Sequence, residues 1–209
     1  ENSFKADWRG RQNPNQPFFA VINLMVTHES QVWMRDHEPL QVTPGDMIIP
    51  PYYPDNDIIR KDLARFLTNV QLMDRQVGEI IQKLKDDGLY DNTIIFFYSD
   101  HGDGLPFVKR ELYDRGLKVP MIIRFPEAPN AATVDSQLIS FVDLAPTVLS
   151  LCKISIPSHI QGQAFLGNQK SKEPRKYIYA ARDRMDTEYD RVRAVSDGRF
   201  KYLKNYSPE

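Results

Sequence analysis

Thr93-Ile94-Ile95-Phe96-Phe97-Tyr98-Ser99-Asp100-His101-Gly102 is the stretch that decides the fold. Its first six residues run without the polar alternation of a half-exposed strand, which predicts a strand covered on both faces. The run then stops at Ser99-Asp100-His101-Gly102. In α/β proteins ligands gather at the carboxyl ends of such strands.

The flanking segments repeat the theme. Upstream, Ile59, Leu63, Phe66, Val70, Met73, Val77, Ile80 and Leu84 recur at alternating steps of four and three. That is one apolar stripe on one helix, with Asp55 or Asp57 as its N-cap and Gly88 as its C-cap. A long connection over residues 31–56 carries Pro39, Pro44, Pro50, Pro51 and Pro54, and loops of that length are more often functional than idle. Before it, the apolar run Phe18–Val26 predicts another buried strand, ending at Thr27-His28-Glu29-Ser30. Downstream, Val119–Phe125 predicts a third strand, and Asp143 opens a short helix bearing Leu144, Val148 and Leu151. Together these predict an α/β domain, a largely parallel sheet flanked by helices, over residues 1–156. After Pro157, Tyr177–Ala181, Val192–Val195 and Phe200–Leu203 read as short strands, with a turn signal at Asp197-Gly198. Residues 157–209 are therefore expected to form a small antiparallel subdomain, truncated at its end.

Composition narrows the partners. The 27 Lys and Arg residues nearly cancel the 28 Asp and Glu residues. No global field favours nucleic acid or an acidic membrane, so an anionic substrate has to be held by a local cluster. A single cysteine, Cys152, rules out an intrachain disulfide. No apolar run approaches the roughly 18 residues of a membrane span. The chain opens on Glu1, and residues before it are expected to have been removed.

Two expected strand ends carry the candidate chemistry. Asp100 offers a hard anionic oxygen and His101 a neutral nitrogen, both suited to a metal; equally, the pair could simply end the strand. Lys109 and Arg110 follow. They suit a sulfate or phosphate ester, or form a solvated basic turn. In Arg182-Asp183-Arg184-Met185-Asp186, alternating charge predicts a salt-bridged surface. The other reading takes Arg182 or Arg184 to a pocket rim that binds an anionic sugar.

The order of these pieces resembles the sulfatase family of the alkaline-phosphatase-like superfamily. The resemblance rests on Ser99-Asp100-His101-Gly102, Lys109, Leu112-Tyr113-Asp114, Val119–Pro126 and Phe141–Thr147, with Pro17–Ser30 as the histidine-bearing strand. It extends from about Pro17 to Tyr206 and implies the C-terminal part of such an enzyme. It also implies Asp100 and His101 as ligands of a divalent metal, with calcium expected, and Lys109 as a sulfate contact. His28 is implied as a second contact that protonates the leaving oxygen. Many members carry asparagine where this chain has His101, so a transition metal is the other candidate ion. The implied substrate is a sulfated small molecule or carbohydrate, and the implied location periplasmic, secreted or lysosomal.

The family's formylglycine arises from Cys or Ser in a Cys-x-Pro/Ala-x-Arg setting. Cys152-Lys153-Ile154-Ser155-Ile156 lacks the arginine, and Cys152 is expected to be buried packing at a helix end. The nucleophile is thus expected upstream of Glu1, in a missing N-terminal part, and the chain alone is expected to be inactive. The competing readings are a phosphodiesterase or phosphonate hydrolase of the same superfamily, and a non-catalytic structural or carbohydrate-binding module.

Overall fold

The computed structural model describes residues 7–126, 132–185 and 187–207. The chain folds as two compact units, Glu1–Asp91 and Asn92–Glu209.

The first unit is organised by α2 (Asp57–Asp86), preceded by the short α1 (Ser30–Met34). The predicted stripe produces α2, but its cap is Asn56, lying between the two expected aspartates. Asn56 is extended, and its Oδ1 accepts the Ile59 N–H at 3.0 Å. At the other end the Leu89 N–H reaches the Leu84 carbonyl at 2.8 Å and the Gly88 N–H reaches that of Lys85 at 3.0 Å. Gly88 has φ +66, the left-handed residue that this reciprocal C-cap requires. The proline-rich connection lies along α2. Asp36 pairs with Lys61 at 2.6 Å, and Thr68 Oγ1 accepts the Gln41 N–H at 3.0 Å. Arg75 donates to Gln41 Oε1 at 2.9 Å.

The run Phe18–Val26 departs from expectation. Phe19, Val21 and Ile22 are exposed, and the run closes in a 3-10 turn, Met25–Thr27. A doubly covered strand needs a hydrogen-bonded neighbour and two packed layers. Among the described residues no strand pairs with it.

In the second unit β1 (Ile95–Tyr98) and β2 (Met121–Arg124) form where the apolar runs predict them. The chain has the expected α/β class with a small antiparallel C-terminal sheet, while this one pair is antiparallel, with Ile95 opposite Arg124 and Tyr98 opposite Met121. The helix between them, α3 (Asp114–Leu117), is a single turn. Parallel neighbours are normally joined by a longer crossover helix.

α4 (Leu144–Leu151) is entered through a capping box made by Ser140 and Asp143. Asp143 does more than open the helix. It is 1% exposed, takes Arg175 Nε at 2.8 Å, and accepts the backbone N–H groups of Ser140 and Gln163, each at 2.9 Å. Burial alone would raise its pKa, but Arg175 and the backbone donors hold the carboxyl below the ordinary range. Cys152 corrects its expectation: it is exposed. Lys153, at φ +58, turns the chain away directly after it.

The predicted C-terminal sheet is present as β3 (Ile178–Met185), β4 (Glu188–Ser196) and β5 (Lys201–Asn205), antiparallel in that order. One face puts Ala180, Val192, Ala194 and Leu203 against Leu112 from the segment after β1. This cluster joins the sheet to the segment after β1.

Candidate functional site

Beyond Tyr98 the chain leaves the pleat and is tied into a tight turn. Ser99 Oγ donates to the His101 carbonyl at 2.5 Å, and the His101 N–H donates to Asp100 Oδ1 at 3.0 Å. Gly102 is required here, because a Cβ would lie 1.7 Å from the Arg115 carbonyl oxygen. Its N–H bonds to the Gly116 carbonyl at 3.2 Å, and Asp103 pairs with Arg115 at 2.6 Å. The turn is thus clamped to residues 115–116.

This clamp fixes the imidazole of His101. Its Nδ1 lies 2.7 Å from the Gly102 carbonyl oxygen. A carbonyl only accepts, so the proton sits on Nδ1 and the Nε2 lone pair is left available. That Nε2 faces Asp100 Oδ2 at 3.6 Å, and the Asp100 side chain is 85% exposed. With the ring neutral these are two acceptors facing each other, an arrangement that either a proton on Nε2 or a bound cation relieves. The spacing suits two donors on one ion, and the Nδ1–H bond is the kind that orients a metal-binding histidine. They form a partial donor set, since among the described residues no group of three or more His, Cys, Asp or Glu converges. Calcium takes about 6–8 oxygens, so the pair fits an ion whose remaining donors come from elsewhere.

His28, in the first unit, has the opposite tautomer. Its Nδ1 accepts the Ser30 N–H at 3.3 Å and lies 2.9 Å from Ser30 Oγ. The proton therefore belongs on Nε2, with the side chain 37% exposed and Nε2 3.9 Å from Glu29 Oε2.

Lys109 rides on a loop anchored by Val108, fully buried, and Leu112, 6% exposed. Phe107 and Arg110 on either side have φ of 66 and 71, a conformation that costs about 1–3 kcal/mol per non-glycine residue. The C-terminal sheet holds the loop in place. Arg182 donates to the Arg110 carbonyl at 3.2 Å, pairs with Glu111 at 2.6 Å and also bonds Asp190. Lys201 Nζ donates to the Leu112 carbonyl at 3.1 Å and pairs with Asp114 at 2.5 Å.

Arg182 is therefore engaged in positioning the loop. Arg184 lies past a register shift in β3–β4, exposed, its guanidinium 5.2 Å from the Tyr189 ring centre. Sequence reasoning missed Leu112, Lys201 and Arg182 as the supports of Lys109, and only the long-range pairing reveals them. The structure brings Asp100 and His101 together and places Lys109 on the loop that continues from them. A cleft of about 290 Å³ in the same unit, lined by Leu138, Gln163 and Lys170 among others, contains none of these residues. The buried Asp143 carboxylate lines it too, and that group belongs to the fold.

Comparison with known proteins shows the family. The Sulfatase family profile matches residues 6–154, and the profile for the C-terminal part of N-sulphoglucosamine sulphohydrolase matches residues 102–208. An ulvan-active sulfatase of Formosa agariphila is 46% identical over 100% of this chain, which spans 41% of that relative's length. A solved structure described as a complex with its substrate D-glucosamine-2-N,6-O-disulfate aligns with TM-score 0.62 at 29% identity, covering 73% of this chain and 34% of that one. The phosphonate monoester hydrolase of Silicibacter pomeroyi shares the fold with TM-score 0.62 at 23% identity, over 96% of this chain and 44% of its own.

Proposed function

The chain belongs to the sulfatase family, and on that premise we propose that the protein it builds hydrolyses sulfate esters of a carbohydrate. The relative active on ulvan and the neighbour bound to a sulfated glucosamine support that substrate class. The observation that carries the reading is the opposed pair Asp100 and His101, two acceptors 3.6 Å apart.

In this reading Asp100 and His101 hold a divalent ion, calcium by family or a transition metal by the nitrogen donor. When bound, that ion withdraws charge from the sulfuryl oxygens. His101 offers Nε2 because its Nδ1–H is committed to the Gly102 carbonyl. Lys109 places a point charge against a sulfuryl oxygen, and its anchored loop keeps that charge fixed as the reaction proceeds. His28, with Nδ1 fixed as an acceptor by Ser30, presents Nε2–H and gives that proton to the departing alkoxide. Arg184 contacts an anionic sugar. A formylglycine nucleophile belongs to chain preceding Glu1, so the 209-residue chain by itself is inactive.

Fold likeness to a phosphonate monoester hydrolase supports a second reading, in which the same residues act on phosphorus esters. Turnover of a sulfate ester and of a matching phosphonate ester by the complete protein separates the two. We expect faster sulfate turnover, with kcat reduced about 10²–10³-fold in Lys109→Ala. Faster phosphonate turnover, or an unaffected Lys109→Ala enzyme, rejects the sulfate reading.

A further inference from the structure

The two faces of the C-terminal sheet differ in kind. The face toward Leu112 is aliphatic, made of Ala180, Val192, Ala194 and Leu203. The opposite face follows from the register. Tyr179, Val195 and Tyr202 lie directly across from one another in one row, and Ala181, Arg193 and Lys204 in the next. Beyond them the Tyr206 N–H bonds to the Arg191 carbonyl at 2.7 Å, extending the ladder by one step. Tyr179, Tyr202 and Tyr206 are 68%, 64% and 55% exposed. Tyr177 continues the aromatic row beside Tyr179, with ring centres 6.5 Å apart. Lys204 Nζ sits 4.6 Å from the centre of the Tyr206 ring. Beside Arg191, Arg193 and Lys204, the Asp183 carboxylate is paired with Arg193 at 2.6 Å.

We propose that this tyrosine and cation face binds an anionic polysaccharide as a site separate from the reacting centre. A face meant to be covered by packed protein would carry aliphatic side chains, as the Leu112 side does. Here flat rings alternate with cations, which suits a polymer that presents ring faces and fixed negative charge together. Tyr179 and Tyr202 stand two strand spacings apart, about 10 Å, so an extended chain crossing the strands meets both rings. The tyrosines supply stacking area at small entropic cost, and the cations supply charge. The chain's formal net charge is -1, so attraction for an anion comes from local patches such as this one and not from the chain's overall charge. The choice of a sulfated glycan over another polyanion rests on the proposed function; the existence of the face does not.

Affinity electrophoresis tests it with the complete protein in gels containing dextran sulfate, plain dextran, or single-stranded DNA at equal charge. Dextran sulfate should retard the protein and dextran should not. The Tyr179→Ala/Tyr202→Ala variant should lose most of that retardation, Tyr179→Phe/Tyr202→Phe should keep it, and Lys204→Glu should weaken it severalfold. Circular dichroism confirms folding of each variant. Retardation independent of the rings, equal retardation by DNA, or none at all overturns the proposal; the last result is also expected if another segment of the protein covers the face. None of these readouts needs turnover, so a failed hydrolysis assay leaves this test standing.

Discussion

His101 presents Nε2 to Asp100 Oδ2 across 3.6 Å because its Nδ1–H is held by the Gly102 carbonyl at 2.7 Å. The pair is therefore built by the backbone of one turn, and its geometry depends on that turn remaining closed.

Gly102→Ala tests the closure. A Cβ would lie 1.7 Å from the Arg115 carbonyl oxygen and 2.7 Å from Val108 Cγ1. Overpacking of this kind costs about 1–3 kcal/mol. Thermal unfolding should shift downward by several degrees, and divalent-ion affinity should fall with it. Wild-type values for both would show that the turn tolerates a side chain.

Leu112 links the Lys109 loop to the C-terminal sheet. Leu112→Ala removes the side chain that Val192 and Ala194 pack against, a change that costs about 2–5 kcal/mol. Amide-exchange protection in β4 should drop, and kcat should fall because Lys109 loses its anchor. Unchanged protection over Val192–Ser196 would contradict the shared core.

Asp143 gives a pH-dependent signature. Its folded carboxyl is held below the ordinary range despite burial, by Arg175 and backbone donors. A group depressed in this way contributes stability above its unfolded value of about 3.9, and loses it as pH falls through the folded value. Arg175→Met strands a buried carboxylate, a loss of about 3–5 kcal/mol near neutral pH. Because burial then raises the Asp143 pKa, the deficit should shrink as the solution is acidified. Unfolding midpoints of both proteins from pH 7 to pH 3 measure this. A deficit that stays constant with pH would assign the loss to something other than the Asp143 charge.

Much of the fold was legible where the signal is local. The stripe from Ile59 to Leu84, the runs that became β1 and β2, and the Asp197-Gly198 turn each carry their own pattern. Phe18–Val26 has an equally apolar pattern and is not a strand, because hydrogen-bonded pairing is a property of neighbours. Asp100, His101 and Lys109 are proposed from their position and order in the sequence. The tautomers were not legible there, since those of His28 and His101 are set by Ser30 and by the Gly102 carbonyl. Arg182 and Arg184 read alike in sequence. A register shift between them leaves Arg182 bound to Glu111 and Asp190 and Arg184 exposed over Tyr189.

Calorimetric titration of the metal-stripped complete protein with calcium and with manganese or zinc tests the Asp100 and His101 assignment most directly. One ion should bind per chain, and Asp100→Asn and His101→Ala should each weaken it at least as much as loss of an outer-shell partner does, about 10–100-fold. Binding that is unchanged in both variants would place the ion elsewhere and remove the basis for the proposed hydrolytic centre.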